Sequence, residues 1–186
     1  MKGLIPEKTK AKVLFSTTFD KDFAEKTDGF LSLSVKDGPK DTWIGPEHTG
    51  ISGAHTLCVE GKAPAGKIIT PLFTGLSVAV SSDTVFRYHI FPAFTGEHYD
   101  YGYTQMYFAL RVRFSDGSIA ELTDQNGNSL SAEAQGKSRT LYTHQWNQLY
   151  ASMGEYAGKT VEAILLEYEK DADRDFCAYF DDVSVY

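Results

Sequence analysis

Residues Met106, Phe108, Leu110, Val112 and Phe114 recur at every second position, so one stripe is apolar while Gln105, Tyr107, Arg111 and Arg113 fall on the other side. A period of two places successive side chains on opposite faces of an extended chain, which predicts a half-buried strand. The pattern recurs. Leu31, Leu33 and Val35 alternate with Ser32, Ser34 and Lys36, and Val13, Phe15 and Phe19 with Leu14, Ser16 and Asp20. The closing run CAYFDDVSVY gives Tyr179, Asp181, Val183 and Val185 one parity, a strand with a carboxylate just before its apolar stripe. Ending on such a strand, the chain is expected to be a piece of something longer.

Further strands are expected at His55–Gly61, Lys67–Phe73, Leu76–Val80, Thr84–Phe91, Arg139–Thr143, Trp146–Met153 and Thr160–Glu169. Asp37-Gly38-Pro39, Ser115-Asp116-Gly117 and Asn126-Gly127-Asn128 separate them with residues that accept positive φ or fix φ. Single helical turns are expected at Ala132–Gln135 and Gly154–Ala157, with no long amphipathic helix. Many short strands and frequent turns predict an all-β fold, a two-sheet antiparallel β-sandwich of jelly-roll type. With 186 residues, 42% of them hydrophobic, one domain over residues 13–186 is expected; the Lys-rich residues 1–12 read as a linker or expression remnant.

A net charge of -7 repels phosphate backbones and anionic headgroups, which argues against a nucleic-acid partner. No window approaches the roughly 18 apolar residues of a membrane span, and Met1–Lys12 holds no continuous apolar stretch of signal-peptide type. Two cysteines exclude a disulfide-dense scaffold. Parity sends Cys58 outward and puts Cys177 with Val183 and Val185, so free thiols are expected.

Metalloprotease, nucleophile-elbow and phosphate-loop patterns are missing, and no two cysteines stand at metal spacing along the chain. Asp124, Asn126 and Asn128 have the spacing of a calcium loop without its glycine and closing glutamate, so a plain turn is expected there. Sugar recognition needs a flat aromatic face and planar polar groups. If the strands around Arg87 and Gln105 pair, then Arg87, His89, Gln105, Tyr107 and Arg111 share one sheet face; Tyr101 in HYDYGY and Trp43 lie in long connections where glycans also bind. Trp146 and Tyr142 are expected to pack structurally, and His144 to be exposed at a turn.

The run SGAHTLCVEG at residues 52–61 and the closing FDDVSV resemble strands of galactose-binding-like jelly rolls appended to bacterial carbohydrate-active enzymes. FRYHIFP, YFALRVRFSDGS, TDQNGNSLSAEAQGKSRTLYTHQWNQL and YAGKTVEAILLEY extend that resemblance over Phe15–Tyr186, to the accessory domain preceding the catalytic region of some glycoside hydrolase family 92 proteins, calcium-dependent exo-acting α-mannosidases. The resemblance implies a non-catalytic module of a secreted protein, outside the cell or at its surface, with a mannose- or galactose-containing glycan and its own catalytic domain as partners. It also implies a structural Ca²⁺ tying first strand to last, at Asp20, the backbone around His55, and Asp181 or Asp182; a cation would offset the cost of burying Asp181. Two alternatives stay open. In one, Asp181 caps a loop or meets a Lys; in the other, the domain packs on its catalytic neighbour without binding free sugar.

Overall fold

In a computed structural model, residues 12–20, 23–29, 31–39, 50–63, 66–93, 108–138, 140–170 and 174–186 are described. They form β1 (Phe15–Thr17), β2 (Lys26–Asp28), β3 (Leu31–Lys36), β4 (Thr56–Ala63), β5 (Gly66–Phe73), β6 (Val78–Ala79), β7 (Val85–Pro92), β8 (Phe108–Phe114), α1 (Ala132–Ser138), β9 (Asn147–Ser152), a 3-10 turn (Gly154–Tyr156), β10 (Thr160–Lys170) and β11 (Arg174–Val185). The two short helical segments fall where single turns are expected. Among the described residues, a seven-stranded sheet runs β2-β3-β4-β11-β7-β9 with β1 also on β11, and a four-stranded sheet is built on β10, which pairs β5, β6 and β8. The pairs are antiparallel, and the fold is an all-β two-sheet sandwich.

The apolar stripes meet between the sheets. Leu33, Val59, Phe86, Tyr88, Ile90 and Phe180 of the larger sheet and Phe108, Leu110, Val112, Ile164, Leu166 and Tyr168 of the smaller are buried in one cluster. Tyr168 stacks on Phe176 at 4.7 Å between ring centroids and on Phe108 at 5.1 Å. Each such side chain removed from water contributes roughly 1.5–3 kcal/mol.

Four expectations fail for definable reasons. β11 does not keep one parity. Its register against β7 shifts between Asp181 and Ser184, and Asp182 has φ 54. This bulge turns Phe176, Ala178 and Phe180 inward before it and Val183 and Val185 inward after it, so Cys177, Tyr179 and Asp181 lie on the outer side. Phe19 reaches the core not by alternation but through a left-handed turn, φ 58, after β1 has ended. Residues 140–143 carry a turn and an isolated bridge rather than a strand. Finally, β7 and β8 belong to different sheets, so Arg87 and His89 do not share a face with Arg111.

Candidate functional site

Two regions of the larger sheet gather the chemistry. The first is a seam where β1 ends, β4 begins and the β11 bulge changes its neighbour from β4 to β1. Of the four residues expected to hold calcium, Asp20, Asp181 and Asp182 meet the loop at residues 50–55 there, and His55 belongs to that loop. Asp20 Oδ1 accepts from the N–H of Ala54 at 2.8 Å and of His55 at 3.0 Å, and its Oδ2 accepts from Thr18 Oγ1 at 2.8 Å. Asp181 Oδ2 accepts from the N–H of Ile51 at 2.6 Å and Ser52 at 3.0 Å, while its Oδ1 accepts from Asp182 N–H at 2.7 Å. Ser52 Oγ donates to Asp182 Oδ1 at 2.6 Å. The loop fits so closely that a Cβ at Gly53 would lie 1.8 Å from Asp20 Oδ2, and one at Gly50 2.6 Å from Asp181 Oδ2.

These donors offset inside the chain much of the cost of burying carboxylates. Backbone N–H bonds, that of Ala54 first, hold Asp20 at about 2, below the ordinary range. For Asp181 burial outweighs three N–H donors and pushes its carboxyl up to about 6. His55 Nδ1 sits 3.3 Å from Asp20 Oδ1.

The second region is the outer face of the same sheet. Cross-strand register lines up Ser34, Cys58, Tyr179 and Phe91 in one row, and Ser32, Glu60 and Cys177 in the next. Phe91 is a buried floor with three rings against it: His144 at 5.1 Å, Trp146 at 5.6 Å and Tyr179 at 6.2 Å between centroids. An open depression of about 660 Å³ lies over this row, bounded by Lys36, the Asp37-Gly38-Pro39 turn, His144 and Tyr179. Along β7 the same face carries His89 and Arg87. Asp182 Oδ2 stands 3.7 Å from Arg87 Nη2 and 3.8 Å from His89 Nδ1. Burial pulls His89 below the usual imidazole range, and the Arg87 guanidinium lies 5.7 Å from the Tyr186 ring centre.

Of the residues expected to bind sugar, Arg87 and His89 are therefore brought together. Arg111 is not. It sits on the far side of the smaller sheet, buried beneath residues 120–132, where Nη1 donates to Glu167 Oε2 at 2.9 Å, and Nη2 to Ala120 O at 3.2 Å and Glu121 Oε1 at 2.9 Å. Ala132 N–H donates to Glu167 Oε1 at 2.9 Å, so the pair anchors α1 to the sheet. Trp43, Tyr101, Gln105 and Tyr107 lie outside the described residues. Asp124 forms the expected turn, its Oδ1 accepting from the N–H of Asn126 and Asn128 at 2.8 Å each. Trp146 packs as expected, whereas His144 is half-buried on Phe91 rather than free at its turn.

Alternation alone sent Cys58 outward, as found, but missed its neighbours at the centre of this face, Tyr179 and Cys177. The adjacent Asp181-Asp182 pair, a common left-handed residue type in an otherwise apolar strand, was the available signal of a bulge. The thiols stay free, but their predicted separation is wrong: the sulfurs lie 4.0 Å apart. The S–H of Cys177 stabilises a Cys58 thiolate, drawing Cys58 down while Cys177 is pushed up in turn.

No family model and no curated protein matches the chain. Solved structures do. A family 30 carbohydrate-binding module aligns at 13% identity and TM-score 0.48 over 92% of this chain and 98% of its own. The family 30 module of a cellulosomal cellulase of Clostridium thermocellum aligns at 12% identity and TM-score 0.45 over 94% and 91%. SGBP-B from a complex xyloglucan utilization locus in Bacteroides uniformis aligns at 14% and 0.45 over 90% of this chain, which spans 48% of that protein. At such identities no residue role passes between the proteins. The fold class rests on the strand pairing described above.

Proposed function

We propose that this chain is a non-catalytic, carbohydrate-binding-type accessory module of a secreted bacterial glycosidase, and that the outer face of the seven-stranded sheet takes the glycan. The observation that carries the proposal is the open depression over Tyr179 and Phe91, with Lys36 and Asp37 on its rim and His89 and Arg87 further along β7. An aromatic ring suits the C–H side of a pyranose, and charged planar groups suit its hydroxyls. A non-catalytic role is supported by the deepest carboxylates being tied down, Glu167 by Arg111 and Ala132 N–H, and Asp181 by the loop at residues 50–55.

The finer assignment draws on the sequence resemblance: a galactose-binding-like domain preceding an α-mannosidase catalytic region of glycoside hydrolase family 92, working outside the cell on mannose- or galactose-containing glycans. The proposal includes a structural calcium at the seam. Asp20, Asp181 and Asp182 would hold it beside His55, and to do so Asp20 and Asp181 would have to give up N–H bonds that they now accept from the loop, since Ca²⁺ takes six to eight oxygens. Calcium added after chelation should then raise the Tm of the wild type and leave Asp181→Ala unmoved. Equal melting in calcium and chelator removes the ion from the account.

Binding is tested by titrating a mannose-rich glycoprotein against the wild type, Tyr179→Ala and Asp37→Ala. The Asp37 side chain is 85% exposed, so its removal leaves folding intact. Tyr179→Ala should weaken binding at least about tenfold, roughly 1.4 kcal/mol, with cooperative melting retained. Wild-type affinity in both variants would move the site elsewhere.

A further inference from the structure

The two cysteines and Glu60 stand where none of the roles above uses them. Cys58 and Cys177 lie on neighbouring strands, β4 and β11, two residues apart in register, because Cys177 faces Glu60 and Cys58 faces Tyr179. Their sulfurs are 4.0 Å apart, and one Glu60 carboxylate oxygen lies within 4.8 Å of both. Cys58 is buried and Cys177 half-buried at the wall of the depression. We propose that Cys58, Cys177 and Glu60 form a binding site for a soft divalent cation of the zinc class, opening onto the outer face of the seven-stranded sheet.

Three features of the geometry support this. Thiolates at about 2.3 Å from a tetrahedral Zn²⁺ are about 3.8 Å from one another, close to the spacing already present, so binding requires only small side-chain rotations. Two sulfurs and a carboxylate oxygen form a three-ligand set, which leaves the fourth position to water on the side of the depression, as in open zinc sites. Charge also balances. Two thiolates and a carboxylate carry three negative charges against two on the ion, and the Lys36 ammonium, which contacts Glu60 Oε1, lies beside the remainder. On binding, both thiols give their protons to solvent and no electrons move. The sequence hides the site because its ligands are 119 residues apart at the two sulfurs and converge only through the pairing of β4 with β11. It is distinct from the seam proposed for calcium, which offers oxygens rather than sulfurs.

Cobalt is the probe, since a thiolate-bound tetrahedral Co²⁺ has a charge-transfer band in the near ultraviolet and strong visible bands. The reduced full chain should take up one Co²⁺ with these bands, Zn²⁺ should abolish them, and Zn²⁺ should slow modification of the Cys177 thiol by an alkylating reagent. Cys177→Ser should lose the charge-transfer band, whereas Glu60→Gln should keep it and bind cobalt on the order of tenfold more weakly. Should Cys177→Ser fail to fold, protection of the wild-type thiol decides. Alkylation at the same rate with and without Zn²⁺ overturns the site, as does a reduced wild type without the charge-transfer band. Oxidation of the two thiols to a disulfide with Zn²⁺ present overturns it as well. None of these results bears on glycan binding.

Discussion

Asp20 and Asp181 show what a single carboxylate costs and gains at a strand end. Both receive backbone N–H bonds from one loop, yet their acidities move in opposite directions because only Asp181 is fully buried. A carboxyl raised to about 6 from an unfolded value of 3.8 holds its proton more tightly when folded. Its contribution to stability is therefore complete below about pH 4 and is lost as pH rises to about 6. In calcium-free buffer, Asp181→Asn should remove that decline from a urea-midpoint profile between pH 4 and 6, and an identical slope in both proteins would contradict the burial account. Asp20 works the other way: lowered to about 2, it contributes above about pH 4 and loses this as pH falls toward 2. Gly53 is held by the same contact. Its φ of 76 and the 1.8 Å approach of Asp20 to a Cβ predict that Gly53→Ala costs about 1–3 kcal/mol by chemical denaturation; an unchanged midpoint would mean the loop yields freely.

Among the elements, β11 decides the site and α1 decides the opposite face. Alternation and turn spacing located β3, β7, β9, β10 and most of β8 within a residue or two, even though β10 shifts register against both β5 and β8. It failed on β11 because a bulge inserts one residue, and every side chain before Asp181 then points the opposite way from the count. That single residue moved Tyr179 and Cys177 out of the expected core and onto the outer face. Arg111 failed for a different reason. Its outward parity was read correctly, but local pattern does not reveal that residues 120–132 fold over that face. There the guanidinium became half of a buried ion pair. Arg111→Met should consequently cost about 3 kcal/mol, because it takes the buried guanidinium from the Glu167 carboxylate and leaves it only Lys67 Nζ at 3.5 Å and the Ala132 N–H, and should leave glycan affinity unchanged. A loss of binding without loss of stability would restore Arg111 to the sugar site.

On the scale of the molecule, the two outer faces of the sandwich differ in shape. The smaller sheet is closed by α1 and the segment before it, whereas the larger sheet leaves a depression floored by Phe91 and bordered by Tyr179, His144 and the turn at Asp37. The fold class was legible from strand count and turn chemistry alone. Half of the site was not, because residues brought side by side by the β4-β11-β7 pairing are distant in sequence and carry no common motif. The most direct test of the central claim is a glycan-array screen of the isolated chain, repeated in calcium and in chelator and with Tyr179→Ala alongside. Selective binding to a mannose- or galactose-terminated class, lost in Tyr179→Ala, is the predicted result. Silence across the array, or the same selectivity in Tyr179→Ala, would contradict it.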